Sequence, residues 1–191
     1  MKQADRLHRW TRHEYERLID HGFLHEDDPV ELLDGLLLVE EPQHSAHRTA
    51  VILVAKALEQ AFGDGWFVQT QSPILLDDLS EPEPDVSVIR GAPRDYATRH
   101  PSRPALVVEV ADAGLRMARG RKAGAYARAG IAEYWILNLV ERVLEVYRAP
   151  AGPDADRRRW AYSTVSRLAA DAGIVPRAAS TAEIRVAALL P

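Results

Sequence analysis

The chain has 191 residues, of which 47% are apolar and 27% are charged, and its formal net charge is −4 at pH 7. This composition is typical of globular proteins and excludes a disordered or fibrous chain and a uniformly basic nucleic-acid binder, although it allows a local basic face. The chain has no cysteine, which excludes disulfides, thiolate metal sites and cysteine nucleophiles. We expect a single domain over residues 1–191 and, without a membrane span or an apolar signal core, a soluble cytoplasmic protein with no membrane partner.

The N-terminal third of the chain predicts a helix, a hairpin and a second helix. Thr11 and Glu14 have the spacing of a capping box, which begins a helix that we expect to end near Gly22. Residues 30–39 contain Asp-Gly between two apolar runs, the strongest short signal for a β-hairpin. Ser45 is the expected cap of the second helix, whose apolar residues recur at helical spacing until a Gly-Asp-Gly turn ends it.

After the second helix, the pattern of apolar residues becomes that of strands. Apolar runs separated by turn residues predict strands at 66–70, 73–76, 85–89, 105–111, 134–139, 142–148, 160–165 and 184–188. A third helix is expected over 115–129, and a surface loop over 150–159. The strand–helix–strand unit over 105–139 requires at least one parallel pair with a right-handed crossover. The predicted fold is therefore α+β, with a mixed, antiparallel-rich β-sheet flanked by helices.

Two acidic residues are notable for their position in apolar strands. Glu109 lies in the middle of the run 105–111, where a buried carboxylate costs several kcal/mol unless it is paired, protonated or bound to a cation. Asp85, which alone would indicate an ordinary Pro-Asp turn, begins the preceding strand. Consecutive strands are usually neighbours, so both carboxylates can reach one site and favour a hard cation such as Mg²⁺ or Mn²⁺ between them. The alternative is a structural ion pair between Glu109 and Arg116 or Arg119.

The helix that follows the Glu109 strand is rich in basic residues. Between Asp112 and Arg128 the sequence has five basic residues and one acidic residue, a local net charge of +4. Helical spacing predicts that Arg119, Lys122 and Tyr126 share one face. This face is either simply solvated or a phosphate-contacting surface beside a metal site, where Lys122 could orient an attacking water.

Several motifs together resemble the Uma2 family, a branch of the PD-(D/E)xK nuclease superfamily. The matching segments are residues 15–18, 30–35, 71–73, 83–86, 106–110, 119–136 and 145–148. The resemblance covers roughly residues 10–150, and its most specific part is the run from Arg119 to Trp135. It implies a restriction-endonuclease-like core with the element order αβββαβ, preceded by an N-terminal helix and hairpin.

The resemblance also implies roles for individual residues. Asp85 and Glu109, with the backbone carbonyl of Val110, would hold Mg²⁺ or Mn²⁺, and Lys122 would act with the two acids as a catalytic residue in phosphodiester hydrolysis. The possible additional site residues are Glu31, Gln71, His47 and Tyr126. The expected contacts to nucleic acid, which we take to be DNA, come from Arg116, Arg119 and Arg121. On this interpretation, Lys122→Ala would abolish Mn²⁺-dependent plasmid nicking without changing the melting temperature.

The chain departs from the family pattern at four positions. Ala118, Leu36 and Asn138 stand where family members often have an acidic residue. Ala111 stands where the superfamily usually has its lysine, and Lys122 on the next helix would take that role. These differences affect the surroundings of the site but leave its two acids and its lysine in place.

These observations lead to one main hypothesis and two alternatives. The main hypothesis is a Mg²⁺-dependent endodeoxyribonuclease. The first alternative is a catalytically silent nucleic-acid-binding or interaction module on the same fold, which the net charge and the missing acids favour. The second is a glycosidase that uses Asp85 and Glu109 as its carboxylate pair and needs no metal. A homodimer interface could be formed by Tyr134, Trp135 and the apolar C-terminal tail.

Overall fold

The computed structural model describes residues 7–25, 28–39, 42–153, 159–179 and 182–191. The helices are α1 (Arg12–Asp20), α2 (Ser45–Phe62), α3 (Leu115–Met117) and α4 (Ala123–Arg128). The strands are β1 (Val30–Leu33), β2 (Leu36–Val39), β3 (Trp66–Thr70), β4 (Val86–Arg90), β5 (Leu106–Ala111), β6 (Glu133–Asn138), β7 (Val143–Ala151), β8 (Ala161–Leu168), β9 (Gly173–Ile174) and β10 (Ile184–Arg185). None of the helices in these described ranges is long and apolar enough to cross a membrane.

The central feature is a six-stranded sheet with the strand order β3-β4-β5-β6-β7-β8. Neighbouring strands are antiparallel except for β5 and β6, which run parallel because the chain crosses over through α3 and α4 between them. The order α2, β3, β4, β5, a helical segment and β6 is the expected αβββαβ core, preceded by α1 and the β1–β2 hairpin. The predicted α+β class and the predicted parallel pair are thus confirmed.

Strand β5 separates two hydrophobic cores, and every residue in it is buried. Val108 and Val110 pack in the core that contains α2, whereas Val107 and Ala111 pack in the core that contains α4. Side chains alternate between the two faces of a strand, so Glu109 must lie on the α4 side. The two-residue period of β5 therefore brings this carboxylate to the helical segment that contains the basic residues.

The N-terminal helix and hairpin form as predicted. The backbone N–H of Glu14 donates to Thr11 Oγ1 at 3.2 Å, and the Glu14 carboxylate accepts from the Thr11 N–H at 2.8 Å, which completes the capping box. Asp34 and Gly35 link β1 and β2 with φ angles of 52° and 71°. Positive φ at both positions is the geometry of the tightest hairpin turns, and a Cβ on Gly35 would stand 2.9 Å from Arg9 Cβ.

The strand predicted at residues 73–76 is absent, and that prediction was wrong. The N–H of Ile74 donates to the carbonyl of Pro82 at 3.0 Å, and the N–H of Leu75 donates to the carbonyl of Pro101 at 2.8 Å. Proline has no N–H to donate in return, so these contacts cannot extend into a ladder. The apolar residues of this segment are buried without joining the sheet.

Other predicted boundaries also need correction. Ser45 is the first residue of α2 rather than its cap, because His44 occupies the cap position without a side-chain hydrogen bond. The strand predicted at 184–188 ends after two residues and continues as a 3₁₀ turn. The predicted loop over 150–159 begins later than expected, because β7 continues to Ala151, and residues 154–158 of that loop lie outside the described residues.

The residues suggested for a dimer interface are internal. Tyr134 and Trp135 on β6 are completely buried, and Leu189 and Leu190 of the C-terminal tail pack into the core beside α2. These side chains stabilise the chain's own fold and are not available to a partner, so the suggestion that they form an interface was wrong.

Glu81 is a buried carboxylate outside the functional site described below. It is only 5% exposed, and its Oε2 has no hydrogen-bond partner among the described residues. Burial, with a smaller contribution from the charge of Glu16, raises the pKa of Glu81 to about 7. The folded state therefore holds a proton on Glu81 at pH values where the unfolded chain has lost it, and stability falls as the pH rises from 4.5 towards 7.

We expect Glu81→Gln to stabilise the protein at pH 8 by up to about 3 kcal/mol, since each pKa unit corresponds to about 1.4 kcal/mol. At pH 4.5 the two proteins should differ little, because the carboxyl group is then mostly protonated in the folded chain and half protonated in the unfolded chain. Urea unfolding at both pH values measures the difference. The exposed Glu59→Gln on α2 is the control, and a gain that is equal at both pH values would argue against ionisation of Glu81 as the cause.

Candidate active site

Asp85 and Glu109 lie at one cavity, at the point where β4 begins and β5 approaches its end. Val86 is paired with Val108 in the antiparallel register, so the residue before β4 lies opposite Glu109. Both carboxylates line a cavity of about 290 Å³, together with Glu31. The sheet register alone therefore brings together the two acids that the sequence singled out.

Glu109 is paired with Lys122 rather than with an arginine. The Lys122 ammonium is 3.1 Å from Glu109 Oε1 and 3.2 Å from Oε2, and the Tyr126 hydroxyl donates to Oε1 at 2.6 Å. All three side chains are buried. The structural alternative, an ion pair of Glu109 with Arg116 or Arg119, is not what the structure contains.

Lys122 also contacts a second carboxylate, from the N-terminal hairpin. Its ammonium lies 3.2 Å from Glu31 Oε2, and the same oxygen accepts the backbone N–H of Glu83 at 3.1 Å. Glu31 is on β1, and its side chain is nearly inaccessible to solvent. One ammonium group thus faces two carboxyl groups, so ionisation of both would leave this part of the cavity with an excess of negative charge.

The Asp85 carboxylate is held on both sides by fixed donors. Its Oδ2 accepts the backbone N–H of Val110 at 2.7 Å, and its Oδ1 lies 2.8 Å from His47 Nε2. Burial lowers the pKa of His47, but the hydrogen bond and the charge of Asp85 outweigh burial and raise it overall. His47, at the start of α2, therefore lines the cavity and orients Asp85.

Gln71 contributes through its backbone and not through its side chain. Its N–H donates to the carbonyls of Pro84 and Asp85 at 3.2 Å, and its φ of 46° turns the chain after β3. The side chain is exposed and lines a different depression, beside α2. Gln71 thus supports the backbone at Asp85 without facing the cavity.

Burial is the main reason why the pKa of Glu109 departs from that of an ordinary glutamate, and the neighbouring charges modify it. Burial raises it, the charges of Asp85 and Glu31 raise it further, and the ammonium of Lys122 opposes them, with a net pKa of about 8. A carboxyl group in this environment is stabilised as a carboxylate by additional positive charge nearby. The cavity therefore favours a cation.

A π turn places Lys122 in the cavity. The predicted helix over 115–129 is interrupted by a π turn, Ala118–Lys122, between α3 and α4. The wider turn changes the rotation of α4 about its axis, so that Lys122 and Tyr126 both point at Glu109 while Arg119 remains exposed. The predicted common face of Arg119, Lys122 and Tyr126 was therefore wrong for Arg119, and π turns of this kind are frequent at functional sites.

The three arginines predicted to contact nucleic acid lie in two different environments. Arg116 and Arg121 line a groove next to the cavity. Arg119 instead donates from Nε to Glu145 Oε2 at 3.0 Å, and its terminal nitrogen contacts Glu145 again and lies 3.5 Å from Glu141. The Arg119 guanidinium is thus engaged by protein carboxylates.

Glu145, which was not among the residues predicted from the sequence, anchors the π turn to β7 through Arg119. Glu145 is almost completely buried and also accepts a hydrogen bond of 2.9 Å from the Tyr147 hydroxyl. The signal was present in the sequence, because Glu145 interrupts an apolar strand in the same way as Glu109 does. A carboxylate inside an apolar strand needs a partner in β7 as much as in β5, so Glu145 could have been predicted in the same way as Glu109.

The donor set at the cavity fits Mg²⁺ or Mn²⁺. Asp85 and Glu109 supply carboxylate oxygens, and Val110 lines the same cavity. Within the described parts of the chain, no cluster of three or more histidine and carboxylate side chains has the arrangement of a complete metal cage. Mg²⁺ is usually bound by one or two carboxylates with waters and substrate phosphates, so two carboxylates suffice.

Residues 12–174 match the sequence model of the Uma2 family, described as "Putative restriction endonuclease". This chain belongs to the Uma2 family. The match runs from α1 to β9 and includes all the residues around the cavity. The resemblance noted in the sequence is thus confirmed, and it extends further towards the C-terminus than the motifs indicated.

The fold of this Uma2 protein is similar to a solved structure described as a "putative nuclease belonging to DUF820" from Anabaena variabilis. The TM-score is 0.68 and the sequence identity 15%, and the alignment covers 90% of this chain and 96% of the other. At this identity the likeness establishes the fold alone. No curated protein is significantly similar to the chain in sequence.

Proposed function

We propose that this Uma2 protein is a metal-dependent endonuclease that hydrolyses phosphodiester bonds in nucleic acid, with DNA as the first substrate to test. The observation that carries the proposal is the convergence of Asp85, Glu109 and Lys122 at one cavity. Family membership supports the same reaction class. Few purely structural requirements explain three buried carboxylates and one lysine beside an opening to solvent.

Asp85, Glu109 and the Val110 carbonyl would hold Mg²⁺ or Mn²⁺ at the cavity. When bound, the ion supplies a Lewis acid that polarises the scissile phosphate and acidifies water. Asp85 is oriented for this role by the Val110 N–H and His47, and Glu109 is oriented by the Tyr126 hydroxyl. These fixed donors hold the ligand oxygens before substrate arrives, so little reorganisation is required.

Lys122 would position the attacking water and hold a proton next to it. Its ammonium already bridges Glu109 and Glu31, so it lies directly beside a proposed metal ligand. A lysine in a buried setting can change protonation state more easily than an arginine, which suits a group that works beside a nucleophilic water.

A catalytically silent module on the same fold is the alternative. It is favoured by the internal contacts of the two acids: both Glu109 oxygens face Lys122, and both Asp85 oxygens have donors from His47 and Val110. A purely structural network would contain the same contacts. The two functions differ in whether the cavity binds a divalent cation and whether that cation supports hydrolysis.

Asp85→Asn and Glu109→Gln test the proposal, because each removes one negative charge while keeping the shape of the side chain. We expect the wild-type chain to bind Mn²⁺ in calorimetry and to nick supercoiled plasmid with Mg²⁺ or Mn²⁺. Each variant should lose Mn²⁺ affinity and at least about 100-fold in nicking rate, since a bound metal ion contributes several kcal/mol to transition-state stabilisation.

Asp64→Asn, in the exposed turn between α2 and β3, is the matched control and should behave as the wild type. A wild-type chain that neither binds Mn²⁺ nor nicks plasmid would support the silent module. Full nicking by Asp85→Asn would place the reaction elsewhere on the molecule.

A further inference from the structure

A second and larger depression adjoins the carboxylate cavity. Its volume is about 1190 Å³, and it shares Ala113, Gly114 and Met117 with the cavity, so the two openings are continuous. We call it the arginine groove, and the side chains that define it are Arg9, Arg116, Arg121, Arg128, Arg159 and Trp160. An extended ligand bound along this groove would reach the cavity that contains Asp85 and Glu109.

Three guanidinium groups of the arginine groove are available to a ligand. Arg116, Arg121 and Arg159 form no ion pair with any residue in the described ranges, in contrast to Arg128, which pairs with Asp34 at 2.8 Å. Unpaired guanidinium groups along a groove are the usual way to follow a phosphate backbone. The groove is therefore a locally basic surface on a chain whose net charge is −4.

Trp160 adds an aromatic surface to the arginine groove. Its side chain is large and apolar, yet the residue is 39% exposed. The ring packs against Gly152, where an added Cβ would stand 3.3 Å from a ring atom, and the Trp160 carbonyl lies close to Gly124 on α4. These contacts fix Trp160 in place while part of it faces the groove, as in proteins that stack unpaired bases.

The groove is open next to the π turn. A Cβ added to Gly120 would meet no atom within 4 Å, and Gly120 lines the arginine groove. A side chain could thus be introduced at Gly120 without a clash inside the protein. This position provides a way to block the groove while leaving Trp160 and the arginines unchanged.

We propose that the arginine groove binds a single-stranded segment of nucleic acid, with a base stacked on Trp160 and the backbone phosphates on Arg116, Arg121 and Arg159. The inference rests on the proposed function and specifies its substrate: a strand with unpaired bases, such as a flap, a loop or a melted site. In a duplex the faces of the bases are covered by their neighbours, so an exposed aromatic ring gains a stacking partner only from an unpaired base.

The test measures binding by fluorescence anisotropy, with a labelled 15-nucleotide DNA of mixed sequence, single-stranded or annealed to its complement. The full chain is used in EDTA, so that neither metal binding nor hydrolysis contributes. We expect tighter binding to the single strand, with a slope of log K against log salt near −2, about 0.7 for each of three phosphate contacts. The same oligonucleotide as RNA distinguishes the two kinds of nucleic acid.

Trp160→Ala should weaken binding to the single strand about 10-fold, and binding to the duplex much less, because only unpaired bases stack on the ring. Trp160→Phe should retain most of the affinity. Gly120→Glu should weaken the binding of both single-stranded and duplex DNA, because it narrows the groove and adds a negative charge. Arg103→Ala, an exposed arginine outside the groove, and Phe23→Ala, an exposed aromatic residue elsewhere, are the matched controls.

Tighter binding to the duplex, an equal effect of Trp160→Ala on both forms, or no binding by the folded wild type would overturn the inference. The melting temperature of each variant identifies any that fail to fold, and if Trp160→Ala does not fold, Gly120→Glu tests the groove in its place. A protein that binds the single strand as described but never nicks would refute the nuclease proposal alone. If the protein nicks plasmid but Trp160→Ala binds single-stranded DNA as tightly as the wild type, only the proposal for the arginine groove is refuted.

Discussion

Replacing Lys122 with methionine should lower the rate of Mg²⁺-dependent plasmid nicking by about 100-fold to 10,000-fold, the usual contribution of a positioned proton-transfer group. Methionine fills a similar volume without the charge, so the sheet and the cavity keep their shape. The ammonium lies within 3.2 Å of Glu31 and Glu109, and the loss therefore removes the cation closest to the proposed metal ligands. Single-turnover nicking at saturating Mg²⁺ measures the effect on the chemical step.

The same substitution should also lower the melting temperature, which revises the expectation from the sequence. Lys122 is 7% exposed and sits between two buried carboxylates. Removing one partner of a buried ion pair costs about 3–5 kcal/mol when the other charge remains, although protonation of Glu109 would reduce the loss. Thermal unfolding followed by circular dichroism gives the size of the effect.

The double variant Lys122→Met/Glu109→Gln separates the structural role from the catalytic role. It removes both charges of this pair, so it should recover part of the lost stability, although Glu31 still loses its cation, and it should stay inactive. Lys122→Arg keeps the charge and should be more stable than the methionine variant, yet a planar guanidinium cannot replace a compact ammonium in this space. A methionine variant that nicks as fast as the wild type would exclude Lys122 from the mechanism.

The part of the site that the sequence predicted follows from burial and strand periodicity. Glu109 interrupts an apolar run, and a buried carboxylate requires a partner, so its residue type and position already indicated a site. Asp85 joins it because two consecutive strands are neighbours in an antiparallel register. The apolar pattern of the strands and the general rules of sheet topology are enough to place both residues, and both can be read from one sequence.

The part that the sequence did not predict depends on contacts between distant segments. The Lys122–Glu31 pair requires the N-terminal hairpin to pack next to α4, and no local pattern specifies that packing. The π turn differs from an α-helix only in its hydrogen-bond register, which residue types barely encode. The Arg119–Glu145 pair could not be read from the sequence either, because Glu145 lies on β7, beyond the crossover.

Replacing Arg119 with leucine should destabilise the protein by about 1–2 kcal/mol, less than for a fully buried ion pair because the Arg119 side chain is 40% exposed and solvent screens its charge. Glu145 is only 2% exposed and would keep the Tyr147 hydroxyl but lose its cation. For a chain of this length, the expected fall in melting temperature is about 2–8 °C. Nicking should decrease as well, because the ion pair ties the π turn to β7, and a relaxed turn would carry Lys122 away from Glu109.

Changes at Glu145 distinguish this anchoring role from direct contact with nucleic acid. The double variant Arg119→Leu/Glu145→Leu leaves no unpaired buried charge, so it should recover stability but not the nicking rate. Glu145→Gln keeps the size of the side chain and one acceptor oxygen, but its amide nitrogen cannot accept from Arg119 or Tyr147. It should therefore also lower the stability, but less than Arg119→Leu, because no unpaired charge stays buried. If Arg119 instead contacts phosphate, Arg119→Leu should leave the melting temperature unchanged and make the salt dependence of DNA binding shallower, by about 0.9 for a duplex. The anchoring role requires the opposite: a lower melting temperature with an unchanged salt slope, because the Arg119 guanidinium is bound by Glu145 and not by the substrate.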